Sequence, residues 1–486
     1  MQVFTVTKTL LLLICAGVMM YFTAKANFEL PVILFMAVSG CSIFYICLQS
    51  REFGLYFIVL FSALFALPGR VLYLASPVGV LVELLTWVLW INILHVESAR
   101  ERIFYIFRNN AISVALVCLF AYYVLELLNP AVMGTPGWLK SQVGWLFFLR
   151  KQVSFLLFYC ITYSVLNSYR QIKYFFGFCL LMVLFIALYG IKQQWFGMAH
   201  FEEKWLAGDL VSYRLFFQGG FFRKFSILTD PAAFGIICSS FGLFSLVLAI
   251  RTSSARARWL LFSTSLICLT ACSYSGTRTC VLMIAAGLLL YTLMTLNEKS
   301  TYLLVAGSLL VSVFLLFGPF QNNPVMIRIR TSLETYNDRS ANLRNINRHA
   351  IQPYIYRHPL GGGLNTSSLE GKLYNPNHAL AGFPPDSGYL KILLEQGWIG
   401  LILHLAFYFL IIRHGIICFF NASGKSVKNL YIAITVCLFS LIVGQYSQIA
   451  IAQYPLILIY YAMLAILVKL IDFDTVSRRV VLKPAI

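Results

Sequence analysis

An arginine pair in the long polar segment between residues 318 and 389 is the feature of this sequence best suited to chemistry. Arg344 and Arg348 lie four residues apart, so on a helix they share one face. Two guanidinium groups at that spacing can grip a diphosphate through charge-assisted, bidentate hydrogen bonds. The alternative is a solvated face in which each arginine pairs with a nearby acid. The nearby acids are Glu334, Asp338 and Glu370.

Two further arginines, Arg278 and Arg223, lie in other polar links close to the ends of apolar segments. Arg278 lies in a tight hairpin, residues 273–279, between two hydrophobic segments, which places it near the headgroup plane. The competing interpretation is an arginine that snorkels to the interface. Arg223 comes shortly before Thr229-Asp230-Pro231 and is another candidate contribution. The predicted diphosphate-binding residues are therefore Arg278, Arg344, Arg348 and Arg223.

Two residues near the end of the polar segment are candidate general bases. Asp386 follows a proline pair, and a carboxylate there can accept a proton from a hydroxyl nucleophile or orient a sugar. Capping of the following helix explains an acid at this position equally well. His378 is the other candidate base, because its unperturbed pKa lies near neutrality. A single loop histidine is more often structural.

Ionisable residues inside the apolar runs need separate explanations. Glu83 is a buried acid, and such a residue in a membrane span is by default functional or paired. Arg70 on the preceding run is its candidate partner. His404 is expected to be a histidine satisfied inside the helix bundle.

Neither a metal nor another cofactor is expected. The predicted outer links contain no Asp-x-Asp pair or carboxylate cluster with metal-ligand spacing. The sequence also has no Walker A glycine loop, so ATP is not the predicted energy source. A lipid diphosphate would explain both absences, because it carries its own leaving group.

The composition is that of a polytopic, all-α membrane protein. Of 486 residues, 60% are hydrophobic and 11% are charged, and the mean hydropathy is +0.79. A span needs roughly 20 apolar residues, and the chain offers about fourteen such runs. They begin near Thr9, Leu30, Phe53, Pro77, Ala111, Gln152, Tyr174, Ala232, Trp259, Arg278, Tyr302, Tyr389, Asn429 and Ala450.

Charge and cysteine usage fit this class. The formal net charge is +19, but many basic residues lie in short links between apolar runs, where they orient spans against anionic lipid. Nucleic-acid binding is therefore disfavoured. The twelve cysteines show neither a disulfide framework nor a zinc pattern.

One alternation of spans satisfies the positive-inside rule, with both termini cytoplasmic. It predicts one integral domain, residues 1–486, with a large outer loop at 319–388, a smaller one at 197–231, and a further outer link at 129–150. A helix is expected at residues 340–352 of the large loop, ended by Pro353. The basic clusters placed inside are Arg100/Arg102/Arg108, Arg170/Lys173, Arg251/Arg256/Arg258, Lys425/Lys428 and Arg478/Arg479/Lys483.

Four segments resemble motifs of one family, in the same order along the chain. They are Phe225–Pro231, Ser273–Arg278, Arg344 with His358–Gly363, and Asp386–Leu390 with Leu394–Gly400. Each motif alone is weak, and the four together are more specific. From about Glu83 onward the chain resembles the O-antigen ligase and polymerase superfamily.

This resemblance implies a metal-independent, inverting glycosyltransferase with a GT-C-like membrane fold in the bacterial inner membrane. Its donor would be an undecaprenyl-diphosphate-linked glycan on the periplasmic face, with Arg278 and Arg344 holding the diphosphate. The ligases of the family place a histidine as base where this chain has Asp386, and that departure favours a polymerase. His378, eight residues earlier, keeps a ligase open.

The predicted function is polymerisation of lipid-linked repeat units of O-antigen, capsule or exopolysaccharide. Within the same class the alternatives are an O-antigen ligase to lipid A-core and a protein O-oligosaccharyltransferase. A lipid-linked oligosaccharide flippase or other transporter is the alternative from a different class. The expected partners are the lipid-linked donor, a glycan acceptor and membrane lipid, and a chain-length regulator is a further candidate.

Overall fold

The computed structural model describes residues 44–72, 78–133, 138–218, 221–318 and 339–481, with a few single positions before residue 44. These residues are mostly helical, and several helices are long and apolar, which confirms an all-α polytopic membrane protein. The predicted runs from Thr9 and Leu30 and residues 319–338 of the large loop lie outside the described residues.

The helices of the first half are α1 Arg51–Ala63, α2 Leu67–Leu72, α3 Val78–Leu94, α4 Glu97–Asn109, α5 Ala111–Leu125, α6 Pro130–Met133, α7 Trp138–Val165, α8 Tyr169–Trp195, α9 His200–Gly208 and α10 Leu210–Phe216. A hairpin of two short antiparallel strands follows, β1 Phe217–Gln218 and β2 Phe221–Phe222. The remaining helices are α11 Pro231–Arg251, α12 Ala255–Tyr274, α13 Thr279–Met294, α14 Lys299–Phe317, α15 Arg339–Arg357, α16 Ser368–Tyr374, α17 Gly388–Asn421, α18 Lys425–Gly444 and α19 Leu456–Val481.

Seven helical segments of the described chain are long and apolar enough to cross a membrane. A bent pair, α3 with α4, meets at an angle of 106° and would make an eighth. The predicted number of fourteen is not confirmed. The seven segments are Ala111–Met133, Ser141–Val165, Tyr169–Trp195, Pro231–Arg251, Gly388–Asn421, Lys425–Gly444 and Leu456–Asp474.

The centre of the bundle is formed by α11, α18 and α19, whose apolar windows are the most buried of the seven. Helix α11 packs against α12, α13 and α18, and α19 packs against α7. Helices surrounded by protein in this way need no polar face, since both core and lipid favour apolar side chains. The three central helices therefore form the packed core of the bundle, and this core positions the links at their ends.

Two predicted boundaries are wrong. The outer link expected at 129–150 is largely helix, because α7 begins at Trp138. Arg150 was expected at the end of this outer link. Its charge is neutralised by Glu83 on α3, so a membrane-spanning helix can contain it. The helix of the large loop also continues through Pro353 to Arg357. Ile351 and Ile355 on either side of this proline pack in a cluster with Leu380 and Leu394, and this packing offsets the lost hydrogen bond.

Candidate active site

The link between α18 and α19, residues 445–455, is the meeting point of the candidate site, and we call it the central link. The backbone oxygen of Gln445 accepts hydrogen bonds from Ser387 Oγ and from the backbone N–H of Gly388, both at 2.9 Å. A Cβ at Gly388 would lie 2.1 Å from Gln445 Oε1, so a larger residue here would displace the Gln445 side chain. The residues next to Asp386 are thus fixed to the central link.

The central link also contacts two arginine-bearing elements. Arg348 on α15 donates from Nη2 to the backbone oxygen of Tyr446 at 3.4 Å, and its guanidinium lies 5.3 Å from the centre of the Tyr446 ring. Ser447 Oγ and Thr279 Oγ1 are hydrogen-bonded at 2.8 Å, directly beside Arg278. The large loop and the 275–278 link are therefore joined through the same segment.

The motif that precedes α11 meets the central link as well. Gln453 Nε2 donates to Asp230 Oδ2 at 2.7 Å. The other oxygen of Asp230 caps α11 by accepting from the backbone N–H groups of Ala232 and Ala233. Asp230 is therefore a structural acid, and the central link contacts two of the four sequence motifs directly and, through Thr279 and Arg348, the segments that carry Arg278 and Arg344.

Arg278 and Arg344 come from different segments and lie close together. Both side chains are half-buried. Burial of Arg278 lowers its pKa, and the nearby charge of Arg344 lowers it further. Two guanidinium groups that repel each other are stabilised by an anion held between them. The pair predicted from sequence to bind one diphosphate is thus brought together by the fold.

Arg223 holds the link that carries Arg278. Its Nε donates to the backbone oxygen of Ser275 at 2.9 Å, and its Nη2 donates to Thr277 Oγ1 at 3.0 Å. The next residue, Lys224, donates its backbone N–H to the oxygen of Tyr274 at 3.0 Å. These contacts fit an arginine that positions the 275–278 link.

We expect Arg223→Ala to reduce product formation about tenfold, because it removes charge-assisted hydrogen bonds that fix the 275–278 link. Arg223→Lys keeps the charge without the two-pronged geometry and should lose nearly as much. Glycan yield per folded protein measures the effect. Full activity in Arg223→Ala would show that the link does not need this support.

Asp386 does not cap α17. That role belongs to Ser387, whose Oγ accepts from the backbone N–H of Leu390 at 3.4 Å while donating to Gln445. The Asp386 side chain is half-buried, and its carboxylate accepts no hydrogen bond from the described part of the chain. A carboxylate placed in this way beside the central link can accept a substrate proton.

His378 is placed differently. Its Nδ1 accepts a hydrogen bond from the backbone N–H of Leu380 at 3.2 Å, so in the neutral ring the proton is on Nε2. Burial lowers the pKa of His378, and the charge of His358 lowers it further. The ring packs edge-on against Tyr354 at 6.3 Å between centroids. His378 therefore belongs to a packed cluster and offers its Nε2 as a donor.

The glycine-rich part of the large loop docks on a break in α17. Gly362 and Gly363 donate their backbone N–H groups to the oxygens of Leu394 and Glu395 at 2.7 and 2.9 Å. Gly397 has a φ of +66° within α17 and marks the break. A Cβ at Gly361, itself at φ +80°, would lie 2.5 Å from the backbone nitrogen of Gly397. The two glycine motifs therefore form one backbone joint that anchors the loop.

We expect Gly361→Ala to destabilise this joint, because alanine is strained at positive φ, which costs roughly 1–3 kcal/mol, and because its Cβ meets backbone atoms. Proteolysis of the large loop in detergent-solubilised protein should become faster. Gly177→Ala is the matched control, since a Cβ there meets nothing within 4 Å. Equal protection of both variants would rule out a tight joint.

Residues 263–405 match the family model described as O-antigen ligase. The predicted resemblance to the O-antigen ligase and polymerase superfamily is thereby confirmed for residues 263–405, a shorter stretch than the predicted one from about Glu83 onward. The matched O-antigen ligase segment contains Arg278, Arg344, the glycine joint and Asp386. No curated protein matches the chain.

Two components of the site that the sequence did not predict also lie outside the matched segment. One is the central link, whose contacts use backbone oxygens, hydroxyls and amide side chains, so no charge pattern in the sequence could reveal it. The other is Arg70, which donates to the backbone oxygens of Ser226 at 3.2 Å and Thr229 at 3.1 Å. Its guanidinium also lies 4.4 Å from the ring centre of Phe225. Arg70 thus supports the motif before Asp230.

The predicted pairing of Glu83 with Arg70 is therefore wrong. Glu83 forms an ion pair with Arg150 on α7 at 2.6 Å, and its side chain is buried. The pair joins α3 to α7, so Glu83 has a structural role in the described chain. His404 is satisfied as expected, by Tyr123 Oη at 3.0 Å and the backbone oxygen of Gly400 at 2.8 Å.

No group of three or more histidine, cysteine, aspartate or glutamate side chains suited to a metal occurs among the described residues. The described charged groups of the site are mainly arginines, with a structural carboxylate at Asp230 and a second carboxylate at Asp386. That arrangement can bind a diphosphate and accept a proton.

Proposed function

We propose that this chain is a periplasmic-face glycosyltransferase that polymerises undecaprenyl-diphosphate-linked oligosaccharide repeat units. The observation that carries the proposal is the placement of Arg278 beside Arg344, from two separate segments of the O-antigen ligase match. The mutual repulsion of these cations favours a bound anion. A diphosphate that leaves during glycosyl transfer gains negative charge, and preorganised cations stabilise it.

The reaction follows from these roles. A hydroxyl oxygen of the acceptor sugar attacks the anomeric carbon of the donor, and the bond from that carbon to the diphosphate oxygen breaks. The diphosphate leaves with the bonding electrons, held by Arg278 and Arg344. The hydroxyl proton passes to the Asp386 carboxylate. Attack opposite to the leaving group inverts the anomeric configuration, and the step requires no metal.

Arg348 and Arg223 have supporting parts in this proposal. Arg348 shares the α15 face with Arg344 and is held by Tyr446, so it can contact the outer end of the diphosphate. Arg223 acts through the 275–278 link that it binds. We place residues 197–231 and 319–388 in the periplasm and both termini in the cytoplasm, within a single domain of residues 1–486 in the bacterial inner membrane.

The polymerase is favoured over a ligase by the geometry at Asp386 and His378. Asp386 stands next to the residues that bind the central link, whereas the Nδ1 of His378 is engaged by Leu380. The O-antigen ligase to lipid A-core and the protein O-oligosaccharyltransferase differ from the polymerase only in the acceptor. A chain-length regulator would act on the polymerase alone.

The glycan profile of a deletion strain, compared with the same strain complemented with the intact chain, tests the choice of acceptor through what the deletion loses. We expect loss of long chains, with single repeats still attached to their final acceptor. Loss of all lipid A-core attachment would support the ligase, and loss of protein-linked glycan would support the oligosaccharyltransferase. Accumulation of lipid-linked repeats on the cytoplasmic face would instead support a transporter.

A further inference from the structure

We propose that the end of the helix bundle opposite to the candidate active site binds a membrane lipid whose phosphate-bearing headgroup has a net negative charge. The headgroup would occupy a polar cavity, and an acyl chain would follow an adjoining apolar cavity. This site is separate from the glycosyl-transfer site and does not depend on the proposed reaction.

The polar cavity has a volume of about 400 Å³ and lies among the ends of α1, α3, α4, α7 and α8. That volume falls within the range of about 300–1,000 Å³ found for ligand pockets. Arg51 and Arg102 are the cations that line it. Two of its buried polar atoms, Arg102 Nε and Ser164 Oγ, have no hydrogen-bond partner within the described part of the chain. The Ser164 residue is only 5% exposed.

These orphaned atoms indicate a missing ligand with hydrogen-bond acceptors. A buried donor without a partner costs about 1–3 kcal/mol, so native sites usually satisfy such groups. A guanidinium donor and a hydroxyl both hydrogen-bond well to phosphate oxygens. The cavity therefore suits a phosphate group.

The electrostatic surroundings also favour an anion. Among the described residues that line the polar cavity, Glu52 is the one carboxylate, and it accepts a hydrogen bond from the Gln171 amide. Beyond Arg102 lies Lys469, which pairs with Asp472 at 3.4 Å. The two lining arginines are thus opposed by one carboxylate that already has a partner.

A second cavity makes the site amphiphilic. It has a volume of about 330 Å³ and shares Leu48, Arg51 and Asn92 with the polar cavity. Its other lining residues include Val88 and Ile91. Arg51 Nε donates to Asn92 Oδ1 at 2.8 Å, which fixes the guanidinium where the cavities meet. A free phosphate would leave the apolar cavity empty, whereas a lipid fills both.

The site lies a membrane's width from the candidate active site. Helix α7 carries Gly144, whose backbone oxygen accepts from Asn365 of the large loop, and Ser164, which lines the polar cavity. Their separation along a helix corresponds to about 30 Å at 1.5 Å per residue. In the proposed topology the cavity faces the cytoplasmic leaflet, where anionic phospholipids attract basic pockets.

Thermal unfolding of the purified full-length chain in detergent tests the proposal with three additives: phosphatidylglycerol, phosphatidylcholine and inorganic phosphate. We expect phosphatidylglycerol to raise the unfolding midpoint at concentrations roughly tenfold lower than phosphatidylcholine, because its headgroup is a net anion, whereas Arg51 and Arg102 repel the choline cation of phosphatidylcholine. Arg102→Gln should remove this preference. Arg100→Gln, which removes the same charge from an exposed residue of α4 outside the cavity, should retain it.

The wild-type comparison decides the matter even if Arg102→Gln fails to fold. Equal effects of the two lipids would overturn the proposal, and so would inorganic phosphate that matches phosphatidylglycerol. An equal loss of preference in Arg100→Gln and Arg102→Gln would show that only general surface charge attracts the lipid. Native mass spectrometry should also retain one phosphatidylglycerol per chain in the wild type.

Discussion

Arg278→Ala is expected to abolish polymer while lipid-linked single repeats accumulate on the periplasmic side. Removing one preorganised donor to a developing oxyanion lowers turnover by about 10²–10³ in other enzymes, and a loss of that size leaves no visible polymer. Arg278 is half-buried beside Arg344, so part of its charge is removed from solvent and is available to a bound anion. Polymer length on gels and lipid-linked repeats extracted from the membrane measure the outcome.

Arg256→Ala is the control for this experiment, because Arg256 is an exposed arginine near the other end of α12. It should leave the polymer unchanged. If repeats accumulate on the cytoplasmic face in Arg278→Ala cells, the chain moves its substrate and does not polymerise it. Polymer of normal length and amount in Arg278→Ala would remove this arginine from the site.

Asp386→Asn is expected to reduce glycosyl transfer by about 10²–10⁴, the usual contribution of a general base. Asparagine has the same shape, and the helix cap belongs to Ser387, so the fold and donor binding should be preserved. Single-turnover transfer with purified protein and a lipid-linked repeat measures the effect. Glu370→Gln, an acid in the same loop outside the central link, should behave as wild type.

His378→Gln separates the two candidate bases. Because Nδ1 of His378 accepts from Leu380, the loss of the ring should affect loop packing more than proton transfer. Most activity should remain at a temperature where the variant is folded. An inactive but folded His378→Gln combined with an active Asp386→Asn would assign the base to His378 and favour a ligase.

Part of the candidate site could be predicted from the sequence, because two of its arginines lie in segments that resemble motifs of one family. Arg278 and Arg344 stand in separate polar links, and their charges predicted an anion site beside the alternatives of snorkelling for Arg278 and of a solvated face for Arg344. The glycine motifs could also be seen in the sequence. In the structure Gly361 and Gly397 both have positive φ, a conformation that glycine adopts more readily than other residues. Composition and apolar runs sufficed for the all-α membrane class.

The remainder depended on contacts between distant residues. The central link binds through the backbone oxygens of Gln445 and Tyr446, which any sequence possesses. Helix α7 begins earlier than the sequence predicted, because the charge of Arg150 is paired with Glu83 and does not mark the end of the span. Asp386 and Ser387 are both good helix-capping residues by type, so the sequence alone does not show which of them caps α17. In the structure Ser387 caps the helix, and its Oγ also donates to the backbone oxygen of Gln445, a contact that the sequence does not reveal.

The central claim is that Arg278 and Arg344 hold one diphosphate together, and a double-mutant cycle of binding tests it most directly. Affinities of a short prenyl diphosphate and the matching monophosphate would be measured for the wild type, Arg278→Ala, Arg344→Ala and the double variant. We predict that each single variant binds the diphosphate about tenfold more weakly and loses its preference over the monophosphate. We also predict that the two losses do not add, with a coupling of about 0.5–3 kcal/mol. Unchanged affinity in either single variant, or strictly additive losses, would contradict a shared diphosphate.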